Sequence, residues 1–172
     1  MDALIKNLKI FAKQNFPETE VTSYLKILDI PQEKLEKYCH FNKEFYTRNL
    51  VHKEDDFEII VVCWSPGQMA PIHGHEGEKC WARIQKGSLQ ICNYEEVSSN
   101  PITLNVVGKV LGSPSYLDGP ADIHSVENIS NDFAISLHVY AKPFDSCDIY
   151  DLNNGIKNRT KLQYYSKFRK LC

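Results

Sequence analysis

The sequence predicts a mainly β protein, an antiparallel sandwich or barrel, preceded by three short helices. After residue 43, short runs of β-branched and aromatic residues recur to the end of the chain, separated by clusters rich in Gly, Pro, Asn and Asp. Before that point, apolar residues recur at helical spacing. With 172 residues, we expect one domain, with a helical segment at 1–43 and a β-barrel at 44–172.

The N-terminal segment reads as three packing helices. A first amphipathic helix is predicted over residues 2–14 and a second over residues 19–28. Pro31 suits the first turn of a short third helix. None of the three carries a chemical motif.

The β region begins with two strands around a polar turn at 53–56, within the sequence EFYTRNLVHKEDDFEIIVVCWS. Further strands are predicted over CWARIQ, SLQICNYE, ITLNVV, KVLG, AISLHVYA and KLQYYSK. The basic segment 157–172 reads as a solvated edge strand.

Composition excludes several functional classes. The net charge of −2 gives no basic excess for a nucleic-acid partner. The longest apolar run, 59–64, is far too short to span a membrane, and the first residues do not form a signal peptide. The six cysteines form no C-x-x-C pair. We therefore expect reduced thiols in a cytoplasmic protein that binds neither nucleic acid nor membrane.

One stretch, residues 67–87, carries a metal-site signature. His73 and His75 are two residues apart, so a β-strand would place both imidazoles on one face. Two imidazoles make half of a metal site and require a third ligand. His124 follows a Gly-Pro turn and could face this strand across a barrel.

A polar face is predicted on the strand AISLHVYA. Ser136, His138 and Tyr140 are two residues apart and would share one face of this strand. That polar face could be solvated or could line a pocket.

These residues resemble the motifs of the cupin superfamily. Its first motif has Gly, five intervening residues, His-x-His, four intervening residues, Glu, six intervening residues and a second Gly. The chain has Gly67, His73, His75 and Gly87 at these spacings, with Cys80 in place of the Glu. In the second motif, His is followed four residues later by Asn, as in His124 and Asn128. The resemblance implies a cupin-type antiparallel β-barrel, also called a jelly roll.

The Cys in the Glu position resembles the cysteine dioxygenase family of type I thiol dioxygenases. FYTRNLV at 45–51, HSVENIS at 124–130, SLHVY at 136–140 and PFDSC at 143–147 are similar to the same family. The resemblance covers residues 44–168. It implies that His73, His75 and His124 hold Fe(II). It also implies that L-cysteine chelates the iron through its thiolate and amine and reacts with O2 to give cysteine sulfinic acid.

The resemblance also implies roles for other residues. Arg48 would hold the substrate carboxylate, since its planar fork suits that group, with Tyr46 beside it. Cys80 and Tyr140 would form a thioether crosslink. His138 would hydrogen-bond Tyr140, with Ser136 behind it. The same resemblance places Cys147 near the pocket mouth, and the family implies a monomer.

The chain departs from the family at Ala141-Lys142-Pro143, where many members have Ser-Pro-Pro, and at Leu162, where the family has Met. Two other functions stay open. One is a dioxygenase of another small thiol, such as 3-mercaptopropionate, although related enzymes for that substrate carry Gln where this chain has Arg48. The other is a non-catalytic metal-binding cupin that acts as a sensor.

Overall fold

The computed structural model describes residues 1–172, with Ala121 described by its backbone alone. The helices span α1 (Asp2–Ala12), α2 (Glu18–Ile27) and α3 (Gln32–Leu35), and a 3-10 turn follows at Glu36–Tyr38. All three helices lie where the sequence predicts them. Pro31 immediately precedes α3 instead of lying inside it. None of the described helices has the length and apolar character needed to cross a bilayer.

Most of the remaining chain forms strands. They are β1 (Thr47–Lys53), β2 (Glu58–Trp64), β3 (Met69–Gly74), β4 (Lys79–Lys86), β5 (Leu89–Ser99), β6 (Ile102–Gly112), β7 (Leu117–Ala121), β8 (Ile123–Glu127), β9 (Ala134–Ala141), β10 (Ser146–Asp151), β11 (Ile156–Lys161), β12 (Ser166–Lys167) and β13 (Lys170–Leu171).

The strands form two sheets that face one another. One sheet has the order β13-β12-β1-β2-β9-β4-β7, and the other has the order β11-β10-β3-β8-β5-β6. This architecture confirms the predicted mainly β barrel with three N-terminal helices. One detail differs from the prediction of a purely antiparallel barrel, because β1 and β12 pair in parallel. The prediction that the basic segment 157–172 is a solvated edge strand is correct only for its first part, β11, whose residues are all exposed. It is wrong for β12, which lies between β1 and β13 and contains the buried Ser166.

The two faces of the first sheet bury different cores. On its outer face, β2 residues such as Ile59 and Val61 share a cluster with Leu8 and Leu25 of the helices. On its inner face, Ile60 belongs to a second cluster with residues of the opposite sheet. Strand alternation therefore explains why every residue of β2 is buried. The same alternation turns residues 136, 138 and 140 of β9 into the barrel, because residues 135, 137 and 139 pack under the helices.

Glycine is required at both ends of the 67–87 stretch. Gly67 and Gly87 have φ values of +77° and +72°, which non-glycine residues rarely adopt. A Cβ on Gly87 would also lie only 2.7 Å from the carbonyl oxygen of Phe133. The turn that leads into β3 and the turn that follows β4 therefore depend on these two residues.

The packing of α1 on the barrel gives a stability prediction. Leu8 is completely buried in the cluster under the helices, whereas Ile10 on the same helix is 47% exposed. We expect Leu8→Ala to lower the free energy of unfolding by about 2–5 kcal/mol, because it removes buried methyl groups and leaves a cavity. The matched Ile10→Ala change should cost less than about 1 kcal/mol. Urea unfolding followed by circular dichroism measures both, and equal losses would contradict the packing described here.

Candidate active site

Three histidines converge inside the barrel. His73 on β3 lies directly opposite His124 on β8, and His75 follows one residue after β3 ends. The ring centroid of His124 lies 4.8 Å from that of His73 and 4.6 Å from that of His75. One ligand atom from each ring lies within 4.8 Å of the others. Among the described residues, this is the only cluster of His, Cys, Asp or Glu that could hold a metal ion.

A β-bulge sets the direction of His73. Ala70 pairs with Val126 of β8, and His73 pairs with His124. The chain therefore advances three residues along β3 but only two along β8, so β3 contains one extra residue. The extra residue reverses the alternation of side chains. Ala70 and His73 therefore both face the interior, although they are an odd number of residues apart.

Hydrogen bonds fix which nitrogen is presented by the rings of His73 and His124. The Nδ1 of His73 lies 2.8 Å from the carbonyl oxygen of Pro71, which can only accept, so Nδ1 carries the proton. The Nδ1 of His124 lies 3.1 Å from Oδ2 of Asp118 and donates to it. The other oxygen of Asp118 accepts from the Nδ2 of Asn93 at 2.9 Å. In both rings the Nε2 lone pair is thus left for a metal, an arrangement typical of histidine ligands.

The ring of His73 is held in the form that binds metal. Burial, reinforced by the nearby His124, lowers the pKa of His73 to about 3. His75 is completely buried and His124 is 1% exposed. Converging imidazoles are suitable ligands for a divalent transition metal, which binds their neutral form.

Two of the three histidines, His73 and His124, line a small cavity of about 40 Å³. The predicted site residues that line it are Tyr46, Arg48, His73, His124, His138, Tyr140 and Cys147. The remaining three contact this group from behind. His75 packs on His124, Cys80 lies opposite Tyr140, and Ser136 hydrogen-bonds His138. The structure thus brings all of the predicted site residues together.

Arg48 points into this cavity from β1 and is 9% exposed. Its Nη2 lies 3.8 Å from Oε1 of the fully buried Glu58, beyond hydrogen-bond distance. Within the part of the chain described with side chains, Nη2 has no hydrogen-bond partner. The guanidinium also lies over the ring of Tyr164, 5.3 Å from its centroid, and the hydroxyl of Tyr164 donates to Oε2 of Glu58. A fixed cation with an unused donor therefore faces the cavity.

Cys80 and Tyr140 are cross-strand neighbours. Their Cα atoms pair between β4 and β9, and both side chains are buried. Burial raises the pKa of the Cys80 thiol, and the nearby charge of Asp118 raises it further, while a hydrogen bond with Tyr140 opposes this. Burial also raises the pKa of Tyr140 well above its usual value. At neutral pH both groups therefore keep their protons.

The polar stripe on β9, which consists of Ser136, His138 and Tyr140, forms a buried hydrogen-bonded chain. The Oγ of Ser136 lies 2.8 Å from Nε2 of His138, whose Nδ1 lies 3.4 Å from the hydroxyl of Tyr140. Burial lowers the pKa of His138 well below its usual value, so the ring is neutral. Of the two interpretations of this stripe, the structure favours the pocket lining over the solvated face.

Sequence reasoning missed three polar residues that support the site. Asp118 holds His124, while Glu58 and Tyr164 surround Arg48. Glu58 did leave a signal, because it is a lone acidic residue in the apolar run of β2. Asp118 lies in a segment rich in turn residues, and Tyr164 lies in a predicted strand next to a second tyrosine, so spacing could not distinguish either from surface residues.

Comparison with known proteins agrees with this geometry. The structure of TT1209 from Thermus thermophilus superposes with a TM-score of 0.53 and 22% identity, covering 67% of this chain and all of that one, which supports the fold alone. Cysteine dioxygenase type 1 from Homo sapiens is 30% identical over 166 residues, 93% of this chain and 82% of the relative. The Rattus norvegicus protein of the same name is 28% identical over 165 residues, with the same shares.

The family model described as cysteine dioxygenase type I matches residues 2–153. That span includes the three histidines, Arg48, Cys80 and Tyr140. The chain therefore belongs to the cysteine dioxygenase type I family of the cupin superfamily and is a metal-dependent dioxygenase.

Proposed function

We propose that the protein is a non-haem Fe(II) cysteine dioxygenase that adds both atoms of O2 to the sulfur of L-cysteine, giving cysteine sulfinic acid. The observation that carries the proposal is the meeting of three convergent imidazoles and a buried guanidinium in one small cavity. A small thiol with a carboxylate matches both ends of that cavity. The proposal includes a cytoplasmic monomer, as the family resemblance implies.

His73, His75 and His124 would hold the metal. Their donors fit a divalent first-row ion, since all three are imidazoles and two have the Nδ1 proton fixed by an acceptor. Membership of the family supports iron over other ions that imidazoles bind. When bound, the metal supplies Lewis acidity to the thiol and holds both reactants close together.

Arg48 would bind the substrate carboxylate. Arg48 lines the cavity, and its buried Nη2 has no hydrogen-bond partner in the part of the protein described, so a carboxylate bound beside it would satisfy this donor. Glu58 and the ring of Tyr164 restrict the guanidinium to this position. Tyr46, which also lines the cavity, would contact the same end of the substrate.

Tyr140 would present its hydroxyl to the substrate and O2. The phenol is protonated, contacts the ring of His75 and is covered by Phe144 at 5.2 Å between centroids. A thioether to Cys80 would fix the phenol in this position. Its formation would remove two hydrogens, one from the thiol and one from the ring, with O2 as oxidant. Cys147 would shape the cavity wall.

A dioxygenase for 3-mercaptopropionate is the second candidate, because that thiol also offers a carboxylate to Arg48. Membership of a dioxygenase family argues against the sensor without catalysis, and a binding module has no need for a phenol fixed beside a metal site.

Oxygen uptake by the Fe(II)-loaded protein tests the proposed reaction. We expect L-cysteine to be consumed with one O2 for each sulfinate formed, and 3-mercaptopropionate to react at least about tenfold more slowly by kcat/KM. Product identification by mass spectrometry completes the measurement. Faster turnover of 3-mercaptopropionate would favour the second candidate. Iron binding without turnover of either thiol would favour the sensor.

Replacement of Arg48 tests the carboxylate anchor. Arg48→Ala should raise KM for L-cysteine by roughly 30- to 100-fold, because a buried charged hydrogen bond is lost. Weak turnover of cysteamine, which has no carboxylate, should change little. Lys53→Ala is the matched control, because Lys53 lies on the same strand, 3.7 Å from Glu58, but does not line the cavity. An equal loss for both thiols would show that Arg48 does not bind the carboxylate.

The crosslink gives a prediction that does not depend on kinetics. After turnover, we expect two bands on a denaturing gel, with the faster species two hydrogens lighter by intact mass. Cys80→Ser should leave one band. Cys92→Ser, at another buried cysteine, should keep both. A single unchanged mass in the wild-type protein after turnover would exclude the thioether.

A further inference from the structure

A tryptophan extends the hydrogen-bonded chain behind Tyr140. Trp64 ends β2 and is 1% exposed. Its indole Nε1 lies 2.9 Å from Oγ of Ser136, which in turn lies 2.8 Å from Nε2 of His138. The ring stacks on Tyr46 with 4.9 Å between centroids. Four side chains, from Trp64 to Tyr140, thus form one continuous buried chain.

The indole fixes the direction of this chain. An indole N–H can only donate, so Oγ of Ser136 must accept from it. In the described part of the chain, the only other partner of that hydroxyl is Nε2 of His138, so the Ser136 proton points there. The neutral ring of His138 then carries its proton on Nδ1 and donates to Tyr140. The phenolic proton of Tyr140 must therefore point away from His138, towards the cavity and Cys80.

The opposite direction would leave a buried donor unpaired. If Nε2 of His138 carried the proton, Ser136 would accept two N–H groups and its own proton would meet no acceptor among the described side chains. Such a donor, buried without a partner, is costly. A protonated His138 would not change the outcome at Tyr140, because both ring nitrogens would then donate. The direction therefore follows from the indole N–H and from burial.

We propose that Trp64 is a positioning residue, which selects the Nδ1-protonated tautomer of His138 and thereby directs the Tyr140 proton into the cavity. The catalytic consequence rests on the proposed function, because the cavity holds substrate and O2 only in a dioxygenase. The tautomer itself can be measured without any turnover.

The first test is the tautomer of His138. In protein labelled with ¹⁵N-histidine and loaded with diamagnetic Zn(II), we expect protonated Nδ1 for His138, assigned by loss of its signals in His138→Gln. Trp64→Phe keeps an aromatic ring but removes the N–H, and at least about a third of His138 should then shift to the Nε2-protonated form. Trp81→Phe is the matched control, because its indole donates to Thr22 at 3.0 Å, outside the site.

The second test is kinetic. Trp64→Phe should lower kcat for L-cysteine on the order of tenfold with KM within about twofold, as one ordering hydrogen bond is lost. Ser136→Ala should give a similar fall, and the double variant should fall no further, because both changes break the same chain. Trp81→Phe should keep the wild-type kcat.

Protonated Nε2 in the wild type, or a His138 tautomer in Trp64→Phe that matches Trp81→Phe, would overturn the inference. Additive kinetic losses in the double variant would also contradict it. If no thiol is oxidised by the wild type, the proposed function fails, and the tautomer measurement still decides the role of Trp64.

Discussion

The direct opposition of His73 and His124 across β3 and β8 is the constraint on which the site depends. It needs the β-bulge before His73, because regular alternation from Ala70 would point that imidazole out of the barrel. A slip of the register by one residue would also turn the ligand away from its partner. The metal centre is therefore a product of backbone register, and the acceptors at Pro71 and Asp118 then fix the rings of His73 and His124.

The two sheets supply different groups to the site. The sheet with β3 and β8 supplies the histidines, and the opposite sheet supplies Arg48 and the polar stripe of β9. Because β2 and β9 are buried on both faces, one face can pack under the helices while the other carries polar groups inside. The N-terminal helices therefore matter to the site indirectly, since they cover the outer face of the strands that hold its polar wall.

Much of this was predictable from the sequence, but for different reasons. Clusters of Gly, Pro, Asn and Asp between short runs of β-branched and aromatic residues predicted the β architecture. The spacing of His73 and His75 predicted half of the metal site. The third ligand and Arg48 came from family resemblance, since strands distant in sequence give no local signal of their meeting. Periodicity also shows which residues share a face without showing which face is inside, so the stripe containing His138 stayed ambiguous. The bulge and the partners Asp118 and Glu58 depend on register, which pattern alone does not contain.

Glu58 shows how the cavity balances opposing charges. A carboxylate beside the proposed carboxylate anchor, Arg48, would repel the substrate, yet an unpaired buried guanidinium would be costly to desolvate. At 3.8 Å, Glu58 offsets the charge of Arg48 without using the Nη2 donor, and Tyr164 satisfies the other oxygen of Glu58. The direct hydrogen bonds of Arg48 therefore stay available for a ligand while its long-range field is reduced. This arrangement favours a substrate that reaches the guanidinium with a correctly placed carboxylate over an anion attracted by charge alone.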